Sequence, residues 1–155
     1  MRRRDFIKGI TGSAIAWPPA ARSQQPERMR LVGVLMGFSE QAGQSLVTTF
    51  RGALRTLGWV EGTNLRIELR WGGGDAGRIG TFAKELVDLQ PDAILAQTTP
   101  VAVAIAHHTK AIPIVFVTVS DPIGSGLATS VTHPGGNATG FTLSNPPWAA
   151  NGWSC

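Results

Sequence analysis

The run Leu31-Val32-Gly33-Val34-Leu35-Met36, closed by Gly37, constrains this chain most. A stretch without one polar side chain suits a strand covered on both faces, the situation of a parallel sheet. The segments that follow alternate in period. Gln41 to Leu57 carries Leu46, Val47, Phe50, Ala53, Leu54 and Leu57 at helical spacing, with Arg51 and Arg55 on another face, and Gly58 stops it. Leu65, Ile67 and Leu69 alternate with Arg66, Glu68 and Arg70, the pattern of a half-exposed edge strand. Asp75 can cap a second helix with the stripe Ile79, Phe82, Ala83, Leu86 and Val87. Ala93 to Ala96 predicts a third strand, Val101 to His108 a small-residue helix, Ile114 to Val119 a fourth strand and Ala138 to Thr142 a short fifth. Such alternation means βαβ units: an α/β fold, a parallel sheet with helices on both faces, in the expected order 2-1-3-4-5. Ligands of such sheets sit beyond the carboxyl ends of the strands, near the switch point. Those ends carry Gly37-Phe38-Ser39-Glu40, Gln97-Thr98-Thr99-Pro100 and Ser120-Asp121-Pro122, rich in groups that hydrogen-bond a small polar ligand.

A net charge of +4 invites a nucleic-acid reading, but the charges are in the wrong place. Arg2, Arg3, Arg4, Lys8 and Arg22 lie in the first 23 residues beside one acid, Asp5, and the remainder carries nine bases and nine acids. No basic footprint for phosphate remains, so nucleic acid is not an expected partner. With 43% hydrophobic residues the chain can build a core, and its single cysteine, Cys155, excludes a disulfide scaffold.

Residues 1–23 have the build of an export signal: a basic start, a weakly apolar stretch from Phe6 to Trp17, then Pro18 and Pro19. Ala21-Arg22-Ser23 places small residues where a signal peptidase reads, so cleavage is expected between Ser23 and Gln24. Arg3-Arg4-Asp5-Phe6-Ile7-Lys8 resembles the twin-arginine motif, in which Arg3, Arg4, Phe6 and Lys8 carry the signal. The expectation is export to the periplasm by the twin-arginine machinery, with residues 24–29 as a linker.

Other motifs have plainer readings. Gly72-Gly73-Gly74-Asp75-Ala76-Gly77 contains G-x-G-x-x-G, but it follows the amphipathic second strand rather than the central first, and Asp75 would face a pyrophosphate. A flexible connection with a helix cap accounts for it better. Adjacent His107 and His108 diverge by about 100° on a helix and chelate poorly, and His133 lies in a turn composition. Asp121 beside Pro122 is a turn former. No acid–base pair or activated nucleophile assembles, so the reading expects no enzyme, no metal and no cofactor.

Taken together, these residues resemble a known family. They are Gly33-Val34-Leu35-Met36-Gly37, Leu57-Gly58-Trp59-Val60-Glu61-Gly62, Ile67-Glu68-Leu69-Arg70-Trp71, Pro91-Asp92-Ala93-Ile94-Leu95-Ala96, Ile112-Pro113-Ile114-Val115-Phe116, Ser120-Asp121-Pro122-Ile123-Gly124, Pro134-Gly135-Gly136-Asn137 and Thr139-Gly140-Phe141-Thr142. The ordered series is similar to the extracytoplasmic substrate-binding proteins of ABC transporters, in the group with tryptophan- and tyrosine-binding members. The resemblance implies a lobe of the type I periplasmic binding fold over 30–144, half of a two-lobed protein that closes on a small-molecule solute, amino-acid-like solutes among them. It also implies delivery to a membrane permease. On matching positions Phe38, Ser39, Thr98, Thr99, Ser120 and Asp121 form one wall of the cleft. A periplasmic sensor domain would share this architecture; a small nucleotide-binding enzyme built on Gly72 to Gly77 is the remaining alternative.

The resemblance breaks after Thr142. Family members continue into a helix resembling Met-Gly-Gly-Lys-Trp-Leu-Glu-Leu and then a second lobe. Residues 145–155 do not, yet their codons hold that helix in another frame. Back-translated from Pro147 to Cys155 and read from one base before the Trp148 codon, with Ser154 as AGY, they permit Met-Gly-Gly-Lys-Trp-Leu-Glu-Leu. The second residue (Gly), the Glu and the last Leu are forced. The expectation is a frameshift between about Thr142 and Trp148, in the gene or in its sequencing.

Overall fold

The computed structural model describes residues 28–130 and 136–142. The expected export signal, most of the linker and the tail 145–155 lie outside the described residues. The elements are β1 (Arg30–Met36), α1 (Glu40–Thr56), β2 (Leu65–Trp71), α2 (Ala76–Asp88), β3 (Ala93–Gln97), α3 (Thr99–His108), β4 (Ile114–Val119) and β5 (Ala138–Thr142). All adjacent strands pair in parallel, in the order β2-β1-β3-β4-β5, as the alternation predicts.

Alternation along each strand sorts the side chains into two cores. Leu35, Ile94, Ala96, Ile114 and Phe116 bury against Ile79, Ala83 and Leu86 of α2 and Val101, Ala102 and Ile105 of α3. Val34 and Met36 pack on the opposite face with Val47, Phe50, Ile67, Leu69 and Leu95, under α1. Right-handed crossovers require this division, because β1 to β2 steps one way across the sheet and β2 to β3 to β4 the other. The connection from β4 to β5 continues the second direction, and its Leu127 joins the α2–α3 core.

Asp75 caps α2 as expected, its Oδ1 accepting from Arg78 N–H at 2.7 Å. The glycines before it correct the sequence reading, since that connection is pinned rather than flexible. Gly72 N–H donates to Met36 O at 2.8 Å, Gly73 N–H to Phe38 O at 3.2 Å and Gly74 N–H to Gly37 O at 2.8 Å. Gly73 and Gly74 reach these acceptors at positive φ, +64° and +78°, which an L side chain would resist. Helix α3 begins at Thr99, two residues before expectation, because Pro100 is accommodated in the first turn, where its missing N–H costs nothing. The α1 stripe is covered less than its spacing suggests. Val47 is buried, but Leu46 and Leu57 are 49% and 75% exposed, because among the described residues no other helix packs on the α1 side of the sheet.

The two sheet edges differ. β2 carries a charge ladder, Arg66 to Glu68 at 2.5 Å and Glu68 to Arg70 at 3.3 Å, with Arg70 reaching Glu85 of α2 at 3.4 Å. β5, Ala138-Thr139-Gly140-Phe141-Thr142, carries no charge.

Candidate functional site

The carboxyl ends of β1, β3 and β4 lie side by side, so their loops share one edge of the sheet. Each loop is fixed by a different bond. Gly37 N–H donates to the Gln97 side-chain Oε1 at 2.9 Å, tying the end of β1 to the end of β3. Thr98 N–H donates to Val117 O at 3.0 Å, tying β3 to β4. Ser120 N–H donates to Thr99 Oγ1 at 3.4 Å, linking the loop after β4 to the start of α3.

Of the residues singled out from sequence, Phe38, Ser39, Ser120 and Asp121 are exposed on this edge, and Thr98 and Thr99 are half-buried. Phe38 presents a ring 42% exposed, unusual for Phe and suited to an apolar contact. Ser39 and Thr98 stand at the N-caps of α1 and α3, and neither side chain makes a capping bond. First-turn N–H groups of both helices therefore lie at the same edge, with Glu40 already placing a carboxylate in the first turn of α1 and Pro100 removing one N–H from that of α3. Asp121 is committed locally. Its Oδ1 accepts from Gly124 N–H at 2.7 Å, and its carbonyl accepts from Ser125 Oγ at 2.6 Å, the turn-forming role its sequence context suggests.

Two backbone features sit here that the sequence does not announce. Thr98 has φ 83° and ψ 155°, a region that glycine alone occupies readily. Thr118 has φ 60°, at a register shift between Phe116 and Val119 that inserts a bulge in β4. The bulge turns Val119 into the α2–α3 core and re-aims the chain into Ser120 and Asp121.

Gln97 was within the expected loop but not among the expected site residues. It is 1% exposed, among the most buried side chains of the fold. Its position on β3, alternating with Ala96, was the available signal: a polar residue ending an otherwise apolar buried strand. The bond to Gly37 uses its oxygen, while its Nε2 is buried without a partner.

Among the described residues no group of three or more His, Cys, Asp or Glu is placed to hold a metal ion, and no helix is long and apolar enough to cross a membrane. His107 and His108 are both exposed at the end of α3.

Comparison with known proteins converges on one group. The family model for ABC transporter substrate binding protein matches residues 31–147. A curated relative, the Tyrosine-binding protein of Clostridioides difficile (strain R20291), is 36% identical over 91 residues, 59% of this chain and 26% of its own length. Among solved structures, the ABC domain in complex with L-Trp from Streptococcus pneumoniae is similar at TM-score 0.68 and 28% identity, over 73% of this chain and 38% of that one. A conserved domain protein from Vibrio cholerae is similar at TM-score 0.72 and 30% identity, over 77% of this chain and 40% of that one. The chain thus spans about a quarter of the curated relative and about two fifths of the solved chains. A match over most of the chain, carried by a five-stranded parallel lobe whose loops gather at one edge, establishes that this chain belongs to the ABC transporter substrate binding protein family.

Proposed function

We propose that the chain is the amino-terminal lobe of an exported, two-lobed binding protein that captures a small solute and hands it to an ABC permease. Family membership over residues 31–147 carries this reading. The loops after β1, β3 and β4 form one wall of the cleft, with Phe38, Ser39, Thr98, Thr99, Ser120 and Asp121 on it. The solute is amino-acid-like: relatives include a Tyrosine-binding protein and a domain solved with L-Trp. A carboxylate suits the first turn of α3, which carries no acidic residue, and an aromatic or aliphatic side chain suits the ring of Phe38. The work is binding rather than chemistry, and the closed form is what a permease distinguishes from the open one.

Residues 1–23 direct export through Arg3, Arg4, Phe6 and Lys8, with cleavage between Ser23 and Gln24, and place the protein in the periplasm. The reading frame breaks between Thr142 and Trp148; residues 1–155 by themselves hold one wall of the cleft, and on their own bind solute weakly or not at all.

Calorimetric titration of L-Trp and L-Tyr against the chain and against a frame-restored version tests this. The expected result is no heat of binding with the 155-residue chain and micromolar binding with the restored one. Micromolar binding to the 155-residue chain would overturn the truncation. A restored gene encoding no second α/β lobe would overturn the two-lobed reading.

A further inference from the structure

The motif Leu57-Gly58-Trp59-Val60-Glu61-Gly62 has no part in the cleft wall. It runs into the start of β2, at the amino ends of the strands, whereas the wall loops follow their carboxyl ends. The segment is braced more closely than a plain connection needs. Trp59 N–H donates to Leu54 O at 2.9 Å, Val60 N–H to Asn64 Oδ1 at 2.7 Å and Asn64 Nδ2 to Gly58 O at 3.0 Å. Gly58 and Gly62 turn the chain at φ +88° and +86°, where other residues are strained. These bonds fix Trp59 at the surface, 38% exposed.

Trp59 borders a cavity of about 420 Å3 between the second half of α1 and the start of β2. Small-molecule sites span about 300–1,000 Å3. Leu54, Leu65 and Ile67 give the cavity apolar surface, and Arg51, Arg55 and Glu61 give it charge. Arg51 is already engaged, its Nε 3.1 Å from Glu61 Oε2. Arg55 pairs with no carboxylate among the described residues. One positive charge is therefore left over at the cavity, on the Arg55 guanidinium. Gly52 lies on the same helix face as Arg55 and also lines the cavity. Glycine in a helix interior is less stable than alanine, and nothing local calls for it here: its φ is not positive, and a Cβ would meet no atom within 4 Å. What the missing side chain provides is room beside Arg55.

We propose that this cavity is a second binding site, away from the cleft wall, for a small organic monoanion with a flat apolar body. Arg55 takes the carboxylate, the Trp59 ring stacks on the body, and the space over Gly52 admits it. A single uncompensated guanidinium suits one carboxylate, and its planar fork matches that group in a bidentate pair. An indole face and an aliphatic floor suit an aromatic body. Every residue involved lies in this lobe, so the proposal does not rest on the two-lobed reading.

Titration of phenylacetate into the 155-residue chain tests it, followed by NMR at the Trp59 indole N–H, which Trp59→Phe identifies among the five tryptophans. The readout sits on the site itself, so occupation of the cleft wall does not register. The expected result is a saturable shift with a dissociation constant of about one millimolar, the affinity that a ligand of this size allows. Phenylacetamide, the same shape without the charge, should bind about tenfold more weakly, and so should phenylacetate to Arg55→Gln. Gly52→Leu should abolish binding while leaving the thermal midpoint unchanged or raised, since leucine favours the helix. Absence of a saturable shift overturns the proposal, as do equal affinities for acid and amide, or undiminished binding to Gly52→Leu. The comparison of acid with amide needs no variant, so it decides the matter even where a substitution misfolds.

Discussion

Thr98 occupies φ 83° and ψ 155°, and a β-branched side chain held there stores roughly 1–3 kcal/mol of backbone strain. Such strain persists where surrounding contacts over-determine the residue, and here its N–H is fixed to Val117 O and its carbonyl to Ala102 N–H. Thr98→Gly should release the strain against a glycine entropy cost of about 1 kcal/mol, for a net stabilisation of about 1 kcal/mol. Urea unfolding measures this, with Thr98→Ala expected to give no gain; a destabilised glycine variant would contradict the strain. At the opposite edge, Asp92 ties the starts of β1 and β3. Its carboxyl is held below the usual carboxylate range by Leu31 N–H, then by Arg30 at 2.8 Å. A depressed folded value contributes stability that is present above the unfolded carboxylate range and lost as pH falls through the folded one. Asp92→Asn should therefore cost about 1 kcal/mol at pH 7, with the difference from wild type shrinking as pH falls below the usual carboxylate range. A cost independent of pH would place the loss in packing instead.

Among the elements, the β1–α1 turn is locked from two sides, by Gln97 at Gly37 and by the glycine connection at Gly37 and Phe38. A Cβ on Gly37 would strike Thr98 Oγ1 and lie 3.0 Å from Gln97 O. Gly37→Ala should cost about 1–3 kcal/mol, as overpacking does, and lower the thermal midpoint by several degrees; an unchanged midpoint would show that the turn gives way freely. The strands, their order and the Asp75 cap were legible because period and handedness are local rules that the sequence obeys. The locks were not legible. A glycine run shows that a backbone can approach, but not which carbonyls it meets. Nor could spacing show that Leu46 and Leu57 would stay exposed, since a helical stripe records which side chains seek cover and not whether a neighbour exists to provide it. Of the candidate site, the loops were legible from strand ends alone, whereas Thr98's strain and Gln97's burial depend on the bulge and register of neighbouring strands.

For the molecule as a whole, the two flanks of the sheet are unequal in their defences. β2 meets solvent with Arg66, Glu68 and Arg70, and charged side chains along an edge strand discourage pairing with another strand. Among the described residues β5 has no such guard, since Ala138 to Thr142 carry no charged side chain against another strand. Self-association of the 155-residue chain should therefore start at one end only. Thr139→Lys should raise the concentration at which light scattering detects oligomers, whereas neutralising Arg66 should change it little; the reverse pattern would refute the asymmetry. A sheet protected on one flank and open on the other cannot pair symmetrically at both, so each added copy must expose a guarded edge or bury the open one. Growth by strand pairing then ends at the dimer: two β5 strands zip together, and the charged β2 edges remain outermost as built-in terminators.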